Sequence, residues 1–373
     1  MDKEEKRIAI EGVIYLCRCA VSSSVPEADK VKRYNLEHLY NVACHHMIAS
    51  MVGMTLRDAG IKDPIFDRAI AASQWKTIIL NEEKCRVFEA LDKAKIWHMA
   101  LKGTIIRDWY PKFGMRESAD CDILFDKTRE EDVKAIMVDL GYTIESYGKG
   151  HHDVYLREPV TNMQMHVELF GTGFDKRLND YYENVYERLE GERYEKSFKP
   201  EDFYIYVLAH NHNDYSRGGC GIRSLLDTYV ILKRFDFEWD YIRRETEKLG
   251  IQKFEEENRS LALHLFDDEE LTDADKSRLE YMVSAGVYGT IENAVQNRVK
   301  NNGGGLSGRI RYLLERMILP MDVVEHSFPV FYKHKLLIPF LPLYRLYRGI
   351  TSNRHKLKAE LRALKTEQQN ISS

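Results

Sequence analysis

Apolar residues fall into two rhythms along the chain. Up to about residue 95 the spacing is helical. Ile8, Ile10, Val13, Ile14 and Leu16 start one apolar face, and Leu36, Leu39, Tyr40, Ala43, Met47 and Met51 form a second, longer one. The loop SSSVPEAD around Pro26 separates them, and Pro64 marks another break before a helix over residues 66–94. From 96 to 170 the runs shorten. Residues 96–101 read as a strand, 103–109 as a short helix and 119–125 as a strand. Residues 130–140 form an amphipathic helix stopped by Gly141. Three further strands follow over 142–147, 152–157 and 163–169. Helix and strand alternate first and strands then succeed one another, which predicts a mixed sheet with helices on one side.

From about residue 179 the helical period returns. Residues 202–212 and 223–235 flank a glycine-rich turn, Gly218-Gly219-Cys220-Gly221, and 240–249, 258–266 and 273–285 continue the bundle. Asn301-Asn302-Gly303-Gly304-Gly305 reads as a flexible joint. Beyond it come a helix over 306–317, an aromatic, Pro-rich stretch and a charged last helix from about Asn353. The pattern divides the chain into an N-terminal helical region (1–95), a mixed core (96–175), a helical bundle (176–300) and a C-terminal extension (301–373).

One stretch breaks the strand rules. In LKGTIIRDWYPKFGMRESADCDILF, residues 101–125, two aspartates sit where a strand begins, although Asp suits a pleated, half-buried surface poorly. Alternation puts Asp120 and Asp122 on one face. Adjacent carboxylates repel, and a hard divalent cation between them relieves this. Gly103 allows close backbone approach at the first turn of a helix, where free N–H groups can hold a phosphate. Thr104 adds a hydroxyl, and Lys102 and Arg116 are candidate phosphate cations. The plainer alternatives are a strand-end lysine in solvent, and an ion pair of Arg116 with Asp120 or Glu117.

Lys102-Gly103, Tyr110-Pro111, Arg116 and Asp120-x-Asp122 followed by Ile-Leu-Phe resemble the signature of an uncharacterised bacterial nucleotidyltransferase family. That family belongs to the DNA polymerase β-like superfamily. The resemblance continues through His151-His152, His166-Val167-Glu168, His210, Asp227 and the Leu-Ile-Pro-Phe-Leu-Pro run at 337–342. It implies an α+β fold: a polymerase β-like mixed-sheet core flanked by N-terminal helices and a C-terminal helical bundle. It implies transfer of a nucleoside monophosphate from an NTP to an acceptor, with pyrophosphate released. Asp120, Asp122 and Glu168 would be the catalytic carboxylates and the ligands of a two-metal Mg²⁺ or Mn²⁺ site. Lys102, Gly103, Thr104 and Arg116 would hold the nucleotide. The chain departs from the superfamily pattern at Thr104, where Ser is usual, and in the longer spacing from Gly103 to Asp120. At Phe170, relatives often have His. A non-catalytic nucleotide-binding or regulatory relative is the alternative. The acceptor, whether small molecule, sugar, RNA or protein, stays open, as does the base of the NTP.

The remaining candidates have structural readings. His45 and His46 point in different directions from one helix, giving one core and one surface histidine. His151, His152 and His166 read first as hydrogen-bonded structural residues, with His166 on the face of Glu168. Arg223 and Asp227, four apart on a helix, can pair with each other.

A net charge of -4 excludes a whole-protein basic field for nucleic acid. Cysteines at 17, 19, 44, 85, 121 and 220 have no metal-finger spacing. The opening MDKEEKRIAI lacks the apolar segment of a secretory leader. A cytoplasmic setting is therefore expected. The stretch 328–350 mixes large apolar residues with Lys333, Lys335, Arg345 and Arg348. It is expected to pack across the bundle with its basic stems over apolar surface. Peripheral contact with a membrane is the less favoured alternative.

Overall fold

The computed structural model describes residues 1–171, 174–319, 321–352 and 354–370. The N-terminal region is helical throughout: α1 (Lys3–Val21), α2 (Ala28–Val31), α3 (Leu36–His45), α4 (Ala49–Asp58) and α5 (Pro64–Lys93). Asp2 caps α1 by accepting from the Glu5 N–H, while Glu5 reaches back to the Asp2 N–H. Pro64 opens α5 behind an Asp63 cap. The long apolar face read over 36–51 is split between α3 and α4. Met47 takes φ 51°, and the Ile48 N–H turns back to the Ala43 carbonyl at 3.0 Å. This left-handed ending needs no glycine, so the apolar spacing runs through it unmarked. His46 is buried and His45 exposed.

The mixed core holds β1 (His98–Ala100), α6 (Gly103–Ile106), β2 (Cys121–Phe125), α7 (Glu130–Asp139), β3 (Thr143–Ser146), β4 (His152–Arg157) and β5 (Thr161–His166). The strand order is β1-β2-β5-β4-β3. The β2–β5 pair is parallel and the other pairs are antiparallel. Odd-numbered residues of β2 and β5, Cys121, Ile123, Phe125, Met163 and Met165, join Leu80, Val87 and Leu91 of α5 and Val133 and Met137 of α7 in the core. Even-numbered residues emerge on the other face, and these carry the polar chemistry. β5 starts two residues earlier than the sequence predicts and stops at His166. The Val167 and Glu168 N–H groups both turn to the His151 carbonyl, at 3.0 and 3.3 Å. Two residues set against one redirect the chain beyond His166, as a bulge does.

The chain continues through α8 (Lys176–Tyr181), a hairpin of β6 (Leu189–Glu190) and β7 (Ser197–Phe198), then α9 (Pro200–Arg217), α10 (Ile222–Arg234), α11 (Trp239–Leu249), α12 (Gln252–Phe266) and α13 (Asp273–Ala285). It ends in α14 (Ile291–Asn301), α15 (Gly305–Met317), α16 (Met321–Ser327), α17 (Pro329–Lys333), α18 (Leu341–Ser352) and α19 (Arg354–Asn370). Asn353, where the sequence starts the last helix, lies outside the described residues. The chain forms two compact units, Met1–His212 with Gly221–Val283, and Asn213–Cys220 with Ser284–Ser373. The second has a small core of Val295, Val299, Tyr312 and Ala363. Of the stretch 328–350 expected to pack across the bundle, Leu341 is buried. Val330, Leu336, Phe340, Leu343 and Tyr347 are exposed. Among the described residues no helix is long and apolar enough to cross a membrane.

Candidate active site

The chemistry gathers in the first unit, on the sheet face opposite the core. Asp122 on β2 lies in register with Gln164 of β5, and Leu124 with His166. Gln164 donates Nε2–H to Asp120 Oδ2 at 3.1 Å. His166 Nε2 lies 3.1 Å from Asp122 Oδ1. Burial, and then the charge of Asp122, push the Asp120 carboxyl above its ordinary range. Burial pushes Asp122 the same way, but the His166 hydrogen bond and the Lys102 charge outweigh it, and Asp122 lies well below the ordinary range. The two neighbours thus lie on opposite sides of the ordinary range, Asp120 held up first by burial and Asp122 held down by its His166 and Lys102 partners.

Lys102 stands at the turn into α6 with φ 36° and ψ -115°. A lysine in this sparsely populated region costs roughly 1–3 kcal/mol, and such strain collects at ligand sites. Its ammonium lies 5.9 Å from the centre of the Tyr206 ring. Gly103 has a specific reason to be glycine, because any Cβ there would overlap the guanidinium of Arg116. Thr104 is buried with its hydroxyl turned inward. It accepts from the Asp122 N–H at 3.2 Å and lies 3.7 Å from Cys121 Sγ.

Arg116 is buried, and its partner is neither Asp120 nor Glu117. Its Nε and Nη2 grip the two oxygens of Asp227 at 2.7 and 2.8 Å, while Nη1 reaches Ser118 Oγ at 3.3 Å. The Tyr110 hydroxyl donates to the same carboxylate at 2.7 Å. The Arg223 Nη1 donates to the Glu117 carbonyl at 3.3 Å. Burial works against the Arg116 charge, but Asp227 more than offsets it and its pKa rises.

Glu168 is not brought to the aspartate pair. The strand ends before it, and its half-exposed carboxylate lies 3.6 Å from Lys127 Nζ. It lines a cavity of about 500 Å³ with Trp97, Lys127, Tyr182 and Asn184. The positions beside Asp120 and Asp122 belong to Gln164 and His166. Strand parity from Glu168 reaches His166, and one further step of two reaches Gln164, so the signal was present in the sequence. Two histidines complete the surroundings. His152 Nδ1 lies 3.2 Å from His151 Nε2. Their rings sit 4.9 and 5.4 Å from that of His166. Burial first, and then the neighbouring imidazoles, push His151 down to about 3 and His152 to about 4.

As a donor set, Asp120 and Asp122 offer the oxygen atoms that a hard divalent cation takes. A cation would also relieve the repulsion that pushes Asp120 up. The pair therefore fits such an ion.

An α+β core with a mixed sheet, a strained Lys-Gly turn and paired aspartates at the start of β2, the strand that pairs in parallel with β5, is consistent with the nucleotidyltransferase class. The chain belongs to the uncharacterised nucleotidyltransferase family, whose model matches residues 33–267. No curated protein and no solved structure matches the chain. The family's description suggests nucleoside monophosphate transfer in general, and nucleotidyltransferases generally use divalent metals.

Proposed function

We propose that the protein is a divalent-metal-dependent nucleotidyltransferase, moving a nucleoside monophosphate from an NTP to a hydroxyl-type acceptor. The observation that carries the reading is the Asp120/Asp122 pair, hydrogen-bonded by Gln164 and His166 and close enough to Lys102 to feel its charge. The acceptor oxygen attacks the α-phosphorus, the bridging bond to the β-phosphate breaks, and pyrophosphate leaves in line. A bound Mg²⁺ or Mn²⁺ would supply charge neutralisation at the phosphate oxygens. Asp120 and Asp122 would hold it. His166 fixes the direction of Asp122, and Gln164 that of Asp120. Lys102 would contribute a mobile positive charge to the phosphates. Arg116, clamped by Asp227 and packed against Gly103, would hold the Lys102-Gly103 turn in place. The acceptor's proton would pass to a carboxylate of the pair or to water.

One observation favours a second reading, a nucleotide-binding module without transfer: Glu168 stands beside Lys127, away from the pair. Labelled NTPs incubated with cell extract, Mg²⁺ and the protein, followed by mass spectrometry of labelled products, decide between them. Transfer lost in the Asp120→Asn/Asp122→Asn variant supports the enzyme. Mg²⁺-dependent NTP binding without any product supports the module. Equal thermal stabilisation of both proteins by Mg²⁺ and NTP would remove the aspartates from either.

A further inference from the structure

Beyond the carboxylate pair, the same face carries a second donor set of different chemistry. His151 and His152 open β4, and His166 closes β5 opposite His152. One ring nitrogen from each lies within 4.8 Å of the others. The separation between His152 Nδ1 and His151 Nε2, 3.2 Å, is close to the edge of about 3.4 Å that bonds of 2.0–2.1 Å give in a tetrahedral site. The other separations, none above 4.8 Å, need closure by no more than about 1.4 Å to reach that edge, within the range of side-chain rotation.

His166 is 2 % exposed, and its Nδ1 is buried with no hydrogen-bond partner among the described residues. A buried polar nitrogen left this way costs free energy that a ligand would recover. Its other nitrogen, Nε2, already faces Asp122. A metal-bound imidazole typically has this arrangement, one nitrogen on the ion and the other donating to a carboxylate that fixes the tautomer and ring direction. The backbone also makes room. Gly171 lies so close to His151 that a Cβ would come within 2.8 Å of its Nδ1 and 2.9 Å of its Cβ.

We infer that His151, His152 and His166 form a site for a late first-row transition ion of the Zn²⁺ type, with Asp122 as the carboxylate behind His166. Three imidazoles suit Zn²⁺ or Co²⁺ and leave a fourth position open. Mg²⁺ prefers oxygen ligands. The site is chemically distinct from the Asp120/Asp122 pair and does not depend on nucleotide transfer. The two meet at Asp122, so an ion on the histidines would set the direction of a carboxylate in the nucleotide centre.

The test uses untagged, full-length protein stripped with chelator and titrated with Co²⁺. One equivalent is expected to bind with the visible d–d absorption of a nitrogen-rich tetrahedral site. Zn²⁺ should displace it stoichiometrically, and a large excess of Mg²⁺ should not. The spectrum should persist in Asp120→Asn and vanish in the His151→Gln/His152→Gln variant. Asp122→Asn should weaken binding roughly 10–100-fold, as loss of a supporting carboxylate does. The two replaced histidines are partly exposed. If the double variant nonetheless fails to fold, His152→Gln alone serves, and loss of the spectrum is again expected. An unchanged spectrum in the folded histidine variant, displacement by Mg²⁺, or no spectrum in the wild type would each overturn the site. Transfer activity enters none of these readouts, so failure of the nucleotidyltransferase reading would leave the result interpretable.

Discussion

The grip of Arg116 on Asp227 is a buried ionic contact beside the candidate centre, and it joins residues 111 positions apart. Breaking a buried pair by removing one member leaves an uncompensated charge, at a cost of about 3–5 kcal/mol. Arg116→Ala is therefore expected to lower stability by that amount in urea unfolding. Removing Asp227 as well should cost less than the sum of the two single losses, with a coupling of roughly 0.5–3 kcal/mol. Arg116→Lys should not restore the loss, because one ammonium cannot reproduce a two-point planar contact. A single-mutant loss no greater than that of a surface substitution would separate Arg116 from the fold. The glycine at 103 belongs to the same unit, since it leaves the space that the guanidinium fills.

At the scale of elements, the end of α3 and the start of α10 are tied by one imidazole. His46 is fully buried, and its Nδ1 accepts the first free N–H of α10, that of Ile222, at 3.2 Å. Such N–H groups have no partner within their own helix. Burial, reinforced by His45 and Lys6, pushes His46 down to about 3. The unfolded chain then binds a proton that the folded one refuses between about pH 6.5 and 3. Stability supplied by neutral His46 is complete above that window and falls as the pH is lowered through it. The slope is up to about 1.4 kcal/mol per pH unit. Chemical unfolding at pH 7, 6, 5 and 4 should show a steeper decline for the wild type than for His46→Asn. Parallel pH profiles would exclude His46 from the effect.

Charge is unevenly spread over the whole molecule. Residues 328–373 carry nine Lys and Arg against two Glu, in a chain whose net charge is -4. The same stretch exposes Leu336, Phe340, Leu343 and Tyr347. Apolar and aromatic side chains set among basic ones match an anionic lipid surface, each nearby Lys or Arg adding about 1 kcal/mol at low salt. The full chain is expected to sediment with phosphatidylserine-containing vesicles at low salt and to be released as salt rises. Equal sedimentation with neutral vesicles, or none at all, would remove lipid as the occupant of this face.

The sequence by itself determined the N-terminal helices, the mixed sheet and the stretch that departs from strand chemistry at Asp120 and Asp122. These depend on local periods, caps and turn residues, which are properties of neighbours along the chain. It also carried the parity that puts His166 and Gln164 on one face. Which side chains meet was decided only in three dimensions. Asp227 is gripped by Arg116, 111 positions away, because burial of both rewards a two-point contact that no local spacing along the chain announces. Glu168 left the face of the pair because β5 ended at His166, and strand ends are set by pairing with the neighbouring strand rather than by apolar pattern. The three histidines converge for the same reason. Two open one strand and the third closes its partner, and only the register of β4 against β5 brings them together.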